Sequence, residues 1–147
     1  MTVRGSALAT AQQWVYQRLS GDAQLMSQLT GIFDEAAVPE TQPCPYLVIG
    51  QIQELQQDTL SHRHYQQSLP LHVWTEARGM QSIHVLLERL NILLHRPDPR
   101  SLPDPTSTTG PLIVGCYYEQ AEQLQDPDGI HQHLIVTYRL FLEEPLS

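Results

Sequence analysis

Apolar residues recur at helical spacing in two stretches of the chain. The first stretch predicts a helix from Ser6 to Leu19, capped by Ser6, and the second predicts a longer helix that Pro97 ends. Asp22 stands where it can cap a short helix between them. The two apolar stripes consist of Leu8, Ala11, Val15 and Leu19, and of Met80, Ile83, Leu86, Leu87, Leu90, Leu93 and Leu94.

Strand patterns occupy most of the remaining chain. Ile32–Asp34 predicts a brief strand, and Tyr46–Ile49 is an apolar run that Gly50 breaks. The polar segment Gln51–Ser61 is predicted to form the tip of a hairpin, and Pro70 to mark an edge position or a bulge. Three further strands are predicted, and in the first and the last of them apolar and polar residues alternate, as expected when one sheet face is buried. These strands are His62–Thr75, Leu112–Glu119 and Ile130–Glu143, with a turn at Asp126–Gly129 before the last.

The order of these elements predicts a single α+β domain over residues 1–147. We expect an antiparallel sheet of about four strands with the helices packed on one face. Residues 97–111 contain five prolines and fit neither a helix nor a strand. We therefore predict that they form a proline-rich surface loop.

The charge balance disfavours one class of function. Lysine is absent, and eight arginines stand against sixteen acidic residues, which gives a net charge of −8. A protein that binds nucleic acid without sequence preference needs clustered positive charge. Two cysteines do not make a disulfide framework, and no stretch has the ~20 apolar residues of a membrane span. We expect a soluble, reduced cytosolic chain, or one that assembles in the cytosol.

Two pairs of histidines are the candidates for metal chemistry. His62 and His64 lie two residues apart on one predicted strand, and His131 and His133 on another. Side chains two apart on a strand point the same way, so each pair could bind one metal ion. Neighbouring strands could bring all four imidazoles together. No carboxylate recurs beside them at ligand spacing, so solvated histidines on a sheet face are the favoured interpretation and no metal or other cofactor is expected.

Signatures of covalent catalysis are absent from the sequence. There is no Gly-x-Ser-x-Gly segment and no glycine-rich loop with a lysine to hold phosphate. Cys44 lies between two prolines and Cys116 inside a predicted strand, and neither has the electropositive setting of a reactive thiol. We expect no enzymatic activity.

Five features occur in an order and spacing that resemble a known family. They are a helix ending near Leu19 followed by an Asp22-Ala23 helix start, PYLVIGQ at residues 45–51, LHVWTEARG at 71–79, DPDG at 126–129, and a final strand holding His131 and Tyr138. Together they span about residues 6–143. They resemble the tail-completion family of long-tailed phages and prophages, whose members are also called tail terminators or head–tail joining proteins.

The resemblance implies a structural virion protein with an α+β fold and no catalytic residues. Members form a ring, commonly of six copies, on the head-proximal end of the tail tube, where the ring stops tube polymerisation and offers a docking face for the head. The implied partners are other copies of the chain, the tail tube protein and a head connector or adaptor protein. DNA would pass through without specific binding, and no membrane is involved. The implied location is the tail or neck of a virion assembled in the host cytoplasm.

The polar hairpin tip is the candidate contact loop of such a ring. It contains Glu54, Gln56, Gln57 and Asp58, and acidic residues lining a bore would repel DNA phosphates. Acidity that only keeps the protein soluble explains the net charge equally well. Two other functions stay open: a small enzyme with a histidine-bound metal, and a generic oligomeric adaptor in a phage-derived particle.

Overall fold

The computed structural model describes residues 6–35, 37–76, 80–98, 102 and 110–145. In chain order the helices are α1 (Leu8–Ser20), α2 (Ala23–Met26) and α3 (Met80–Leu94), and the strands are β1 (Ile32–Asp34), β2 (Tyr46–Ile49), β3 (Gln53–Gln56), β4 (His62–Glu76), β5 (Leu112–Gln125) and β6 (His131–Pro145). Within the described part of the chain, no helix has the length and apolar character needed to span a membrane. Most of the loop predicted at 97–111 lies outside the described residues.

The six strands form one mixed sheet in the order β1-β2-β4-β6-β5, with β3 also pairing with β4. β1 runs parallel to β2, and every other pair is antiparallel. The α+β class is therefore confirmed, but the expectation of about four antiparallel strands is wrong. Because β1 and β2 run parallel, the chain returns between them to the end of the sheet where β1 began. The additional strand is β3, which occupies part of the predicted hairpin tip.

β2 and β3 are two parts of one side of the sheet, interrupted at Gly50. Both pair with β4, β2 through residues 71–74 and β3 through residues 65–68. The Gly50 N–H donates a hydrogen bond to the Pro70 carbonyl oxygen at 2.8 Å. Pro70 thus lies opposite the interruption. β4 has neighbours on both sides, so of the two alternatives expected for Pro70 the edge position is wrong. The irregularity lies instead in the neighbouring segment, where the break at Gly50 faces Pro70.

The core lies between the helices and one face of the sheet, called the inner face here. Alternate residues of β4 and β6 are buried there, as the sequence pattern predicts. The core includes Ala11, Trp14, Val15 and Leu19 of α1, Ile83, Leu86, Leu90 and Leu94 of α3, and Leu69, Leu71, Leu134, Val136, Tyr138 and Leu140 of the sheet. The intervening residues of β4 and β6 form the outer face and are half-exposed.

β5 is longer than the sequence pattern predicts, because it continues from Glu119 to Gln125. This second half is mostly exposed and polar on both faces, so it carries no alternating apolar signal. It is held as a strand by pairing with β6 from Thr137 to Gln132. The turn predicted at Asp126–Gly129 is present, and Gly129 has the left-handed φ of 73° that the turn requires.

Candidate functional site

The two predicted histidine pairs lie at opposite ends of the sheet. β4 and β6 are neighbours, but they are antiparallel, so His62 aligns with Pro145 whereas His133 aligns with Trp74. The strand length between these positions is about 30–40 Å, and the four imidazoles therefore do not converge. Within the described ranges, no three His, Cys, Asp or Glu side chains lie close enough to hold a metal ion.

Three of these histidines have local polar neighbours. The Nδ1 atom of His62 lies 2.9 Å from the Ser61 hydroxyl, and that of His64 lies 3.8 Å from the Glu143 carboxylate. His131 Nδ1 lies 2.6 Å from Asp128 Oδ2. This contact raises the pKa of His131, while hydrogen bonds from the His131 backbone and side chain lower the pKa of Asp128 to about 2. The His131–Asp128 pair thus stabilises the turn between β5 and β6.

His133 belongs to a different group on the outer face, which the sequence pattern did not reveal. Its Nε2 atom lies 2.7 Å from Nδ1 of His72, and its ring stacks on Trp74 with 3.9 Å between ring centroids. Burial lowers the pKa of both histidines, and the charge of His72 lowers that of His133 further. Alternation along β4 places His72 and Trp74 on one face, but the contact with His133 depends on the β4–β6 register. We call these three residues the outer-face stack.

The candidate contact loop divides into one structural residue and three exposed ones. The half-buried Glu54 accepts hydrogen bonds at 2.8 Å from both the Ala7 N–H and Gln67 Nε2, and so ties the start of α1 to the sheet. Gln56, Gln57 and Asp58 are exposed, and Gln56 Nε2 donates to Asp58 Oδ2 at 3.1 Å. Of the four residues predicted for a contact loop, these last three are therefore accessible.

The two halves of β5 differ in what pairs with the edge that faces away from β6. The end of α3 covers the first half, because the Arg96 N–H donates to the Cys116 carbonyl at 2.8 Å and the Tyr118 N–H donates to His95 Nδ1 at 2.9 Å. The second half, Glu119–Gln125, has no strand beside it among the described residues other than β6. We call this segment the free edge of β5.

The cysteines show no sign of reactivity. Cys116 is fully buried, which raises its pKa to about 12, and burial also raises the pKa of Cys44. Both thiols are therefore protonated near neutral pH, and thiolate chemistry is disfavoured.

Comparison with known proteins decides the family. The model of the family described as tail completion protein gp17 matches residues 13–143. The chain belongs to this family. Its members are structural proteins of the phage tail and not enzymes, so the tail-completion chain is a structural virion component. The resemblance drawn from the five sequence features is thereby confirmed, and the alternative of a metal enzyme is not supported.

Two solved structures share the fold of this tail-completion protein. A chain in the virion of a native gene transfer agent particle superposes with a TM-score of 0.77 at 20% identity, covering 95% of this chain and 99% of that one. The gp17 protein of bacteriophage SPP1 superposes with a TM-score of 0.54 at 18% identity, covering 91% and 89%. A search of curated protein sequences finds no match.

Proposed function

We propose that this protein forms a ring on the head-proximal end of a phage tail tube. The ring ends polymerisation of the tube and joins the tail to the head connector. The observation that carries the proposal is the family match over residues 13–143, which includes all of the sheet except its last two residues. The likeness to a chain of a gene transfer agent virion agrees with a role inside a larger particle.

The unequal sides of the sheet support a cyclic assembly. One side ends in β5, whereas the other is formed by β1, β2 and β3. Contacts between unlike surfaces generate rings when the rotation closes, whereas identical surfaces generate twofold dimers. We infer a ring of six copies from the family resemblance, assembled in the host cytoplasm and located at the tail or neck of the virion.

The exposed hairpin between β3 and β4 is the proposed contact with neighbouring components. Gln56, Gln57 and Asp58 are accessible there, and the chain also exposes Leu60 completely. An exposed loop on a rigid sheet suits contact with the tail tube, the head connector or the bore. DNA passes through such a ring without specific binding, because the chain has no lysine and a net charge of −8.

Tail-tube polymerisation tests the proposal directly. Purified tube protein is polymerised with increasing amounts of this protein, and tube lengths are measured by electron microscopy. A terminator shortens the tubes in proportion to its amount and is found at one end only. Unchanged lengths at a molar excess would contradict termination.

A generic adaptor in a phage-derived particle is the second candidate function. The likeness to the gene transfer agent chain favours it, since the shared fold covers 95% of this protein. An adaptor would bind tube ends or connectors without altering the length distribution. The tube-length measurement, combined with binding to preformed tubes, therefore separates the two functions.

A further inference from the structure

The free edge of β5 has few of the features that keep sheet edges from pairing: its charged residues are Glu119, which pairs with Arg139, and Glu122. The segment Glu119–Gln125 reads EQAEQLQ and contains neither lysine nor proline. Natural edges are protected by such residues, by bulges or by a covering element. Among the described residues, the end of α3 covers β5 only before this segment, and a register shift between Tyr118 and Gln120 separates the two halves. The unprotected half therefore presents backbone groups suited to pairing with another strand.

The opposite side of the sheet offers two candidate partner strands, β1 and β3. They differ in the charge that they would bring next to the free edge of β5. Beside β1 lies the exposed Glu35, whose charge acts on His72 of the outer face, the same face that carries Glu122 on the free edge of β5, so a β1–β5 contact would bring two acidic side chains to one face. In β3 the one acidic side chain, Glu54, is held by Ala7 and Gln67. Its remaining residues are two glutamines and a leucine, which meet the glutamines of β5 without charge repulsion.

Strand direction and side-chain facing also agree with a contact between β3 and β5. β3, β4, β6 and β5 alternate in direction, so rotation about an axis along the strands places β3 of one copy antiparallel to β5 of the next. Leu55 aligns with Gln66 and Leu124 with His133, which puts both leucines on the outer face. They are 61% and 41% exposed, so an added strand would bury apolar surface at both positions.

We propose that β3 of one copy pairs with the free edge of β5 in the next copy, so that the sheet continues from subunit to subunit. This inference rests on the proposed ring and adds the surfaces that build it. Strands of a closed sheet tilt and stagger by several residues. Leu55 is therefore expected opposite one of the outer-face residues of the free edge of β5, which are Gln120, Glu122 and Leu124.

Disulfide cross-linking tests this pairing. In a Cys44→Ser background, Leu55→Cys is combined in turn with Gln120→Cys, Glu122→Cys or Leu124→Cys. β4 and β6 lie between β3 and β5 within one copy, about 14 Å along a flat sheet. Leu55 and Gln120 of one copy nevertheless line the same outer-face cavity, so monomers with an internal bond are scored separately from oligomers on a non-reducing gel. The matched control combines Leu55→Cys with Gln123→Cys, because Gln123 aligns with Leu134 and lies on the inner face.

Mild oxidation should convert at least one of the three outer-face pairs into a ladder of covalent oligomers, whereas the Gln123 control and each single variant should stop at dimers. Native mass spectrometry and tube-length measurements on the same unoxidised samples report ring formation and termination. Rings or shortened tubes without any ladder would overturn the pairing and leave the proposed function standing. Neither rings nor shortened tubes, at any concentration and with tube protein present, would overturn both.

Discussion

Asp22 shows how one side chain can link three parts of the fold. Its carboxylate accepts from the Leu25 N–H at 2.9 Å, which caps α2, and also receives two hydrogen bonds from Arg89 on α3 at 2.6 and 2.8 Å. The hydrogen bonds from Arg89 lower the pKa of Asp22 most, and the bond from Leu25 lowers it further. This residue therefore couples the N-terminal helices to the long helix.

Replacing Asp22 by Ala is expected to lower the free energy of unfolding by about 1–2 kcal/mol, the cost of a lost helix cap, with loss of the ion pair adding to it. Because the folded pKa lies below 3.8, this contribution is present above that pH and is lost as the pH falls through the folded pKa. Urea unfolding at pH 7 and at pH 3 measures both effects. Glu88→Ala, which removes an exposed acid beside Arg89, is the control and should change stability little.

The outer-face stack predicts a second pH dependence of folding stability. Its sign is opposite to that of the contribution from His131. Burial lowers the folded pKa of His72 and His133, so as the pH falls below about 6.5 the unfolded chain binds protons that the folded chain resists. Their contribution should therefore favour unfolding at pH 5.5 relative to pH 7.5. The raised pKa of His131 instead adds stability at low pH, which is lost as the pH rises through its folded value.

Thermal unfolding of variants between pH 5.5 and 7.5 separates these contributions. A variant with both His72→Gln and His133→Gln should lose less stability on acidification than the parent chain. His131→Gln should lose more. The interpretation of the stack would be wrong if the double variant kept the full pH dependence of the parent.

At the scale of elements, the break at Gly50 allows one chain segment to supply both β2 and β3. A Cβ there would lie 2.9 Å from Pro70 Cγ, 2.9 Å from His72 Nε2 and 3.0 Å from the Pro70 carbonyl oxygen. The histidine can move, but the backbone oxygen of an interior strand cannot move without shifting β4. Gly50→Ala is therefore expected to destabilise the fold by about 1–3 kcal/mol, the usual cost of overpacking.

Gly129→Ala is the matched control for that substitution, and urea unfolding measures both. Its Cβ would meet nothing within 4 Å, so only the left-handed φ of 73° opposes it. That conformation costs a non-glycine residue about 1–2 kcal/mol. If the contacts around Gly50 matter, Gly50→Ala should also weaken the His72–His133 contact and so reduce the loss of stability on acidification. Strain at Gly129 would weaken the adjacent His131–Asp128 pair and increase that loss, so the two variants differ in the sign of the change.

Elements that bury one apolar face are predictable from the sequence. Strands that bury little surface and form only by hydrogen bonding to a neighbouring strand are not. β4 and β6 alternate apolar and polar residues because their inner faces form the core, and both were located within two residues of their ends. β3 and the second half of β5 are mostly polar, each with one exposed leucine on the outer face, so no alternating pattern predicts them. The outer-face stack was also missed, because periodicity fixes the face on which His72 lies but not the residue opposite it. The family was recognisable because the order of five short segments does not depend on register.

At the scale of the whole molecule, the acidic charge is not all available to a partner. Glu54 is held by Ala7 and Gln67, Glu119 by Arg139 at 2.6 Å, and Asp22 by Arg89. Asp58 is exposed on the β3–β4 hairpin, where its carboxylate receives a bond from Gln56 alone among the described residues. Any electrostatic effect of the hairpin on passing DNA therefore depends on Asp58 more than on Glu54.

Because Glu54 has a structural role and Asp58 is exposed, a test of an acidic bore should change Asp58. Glu54→Lys would break the link between α1 and the sheet, so slow DNA passage in that variant would not distinguish charge from misfolding. Asp58→Lys with Gln57→Lys changes the charge of two exposed positions and leaves the Glu54 contacts intact. If the hairpin lines the bore, positive charge there attracts the phosphates, and assembled particles carrying this variant should eject DNA more slowly. The delay should shrink as salt is raised, because salt screens exposed charges.

Glu88→Lys with Gln24→Lys supplies the matched control, since both positions are exposed away from the hairpin and the double substitution makes the same total change in charge. Ejection rates from particles of equal tail length, measured by dye uptake on released DNA, compare the two variants. A delay specific to the hairpin variant supports a bore lined by Asp58. Equal rates in the parent, hairpin and control particles would mean that Asp58 does not face the DNA, and the net charge would then act on solubility alone.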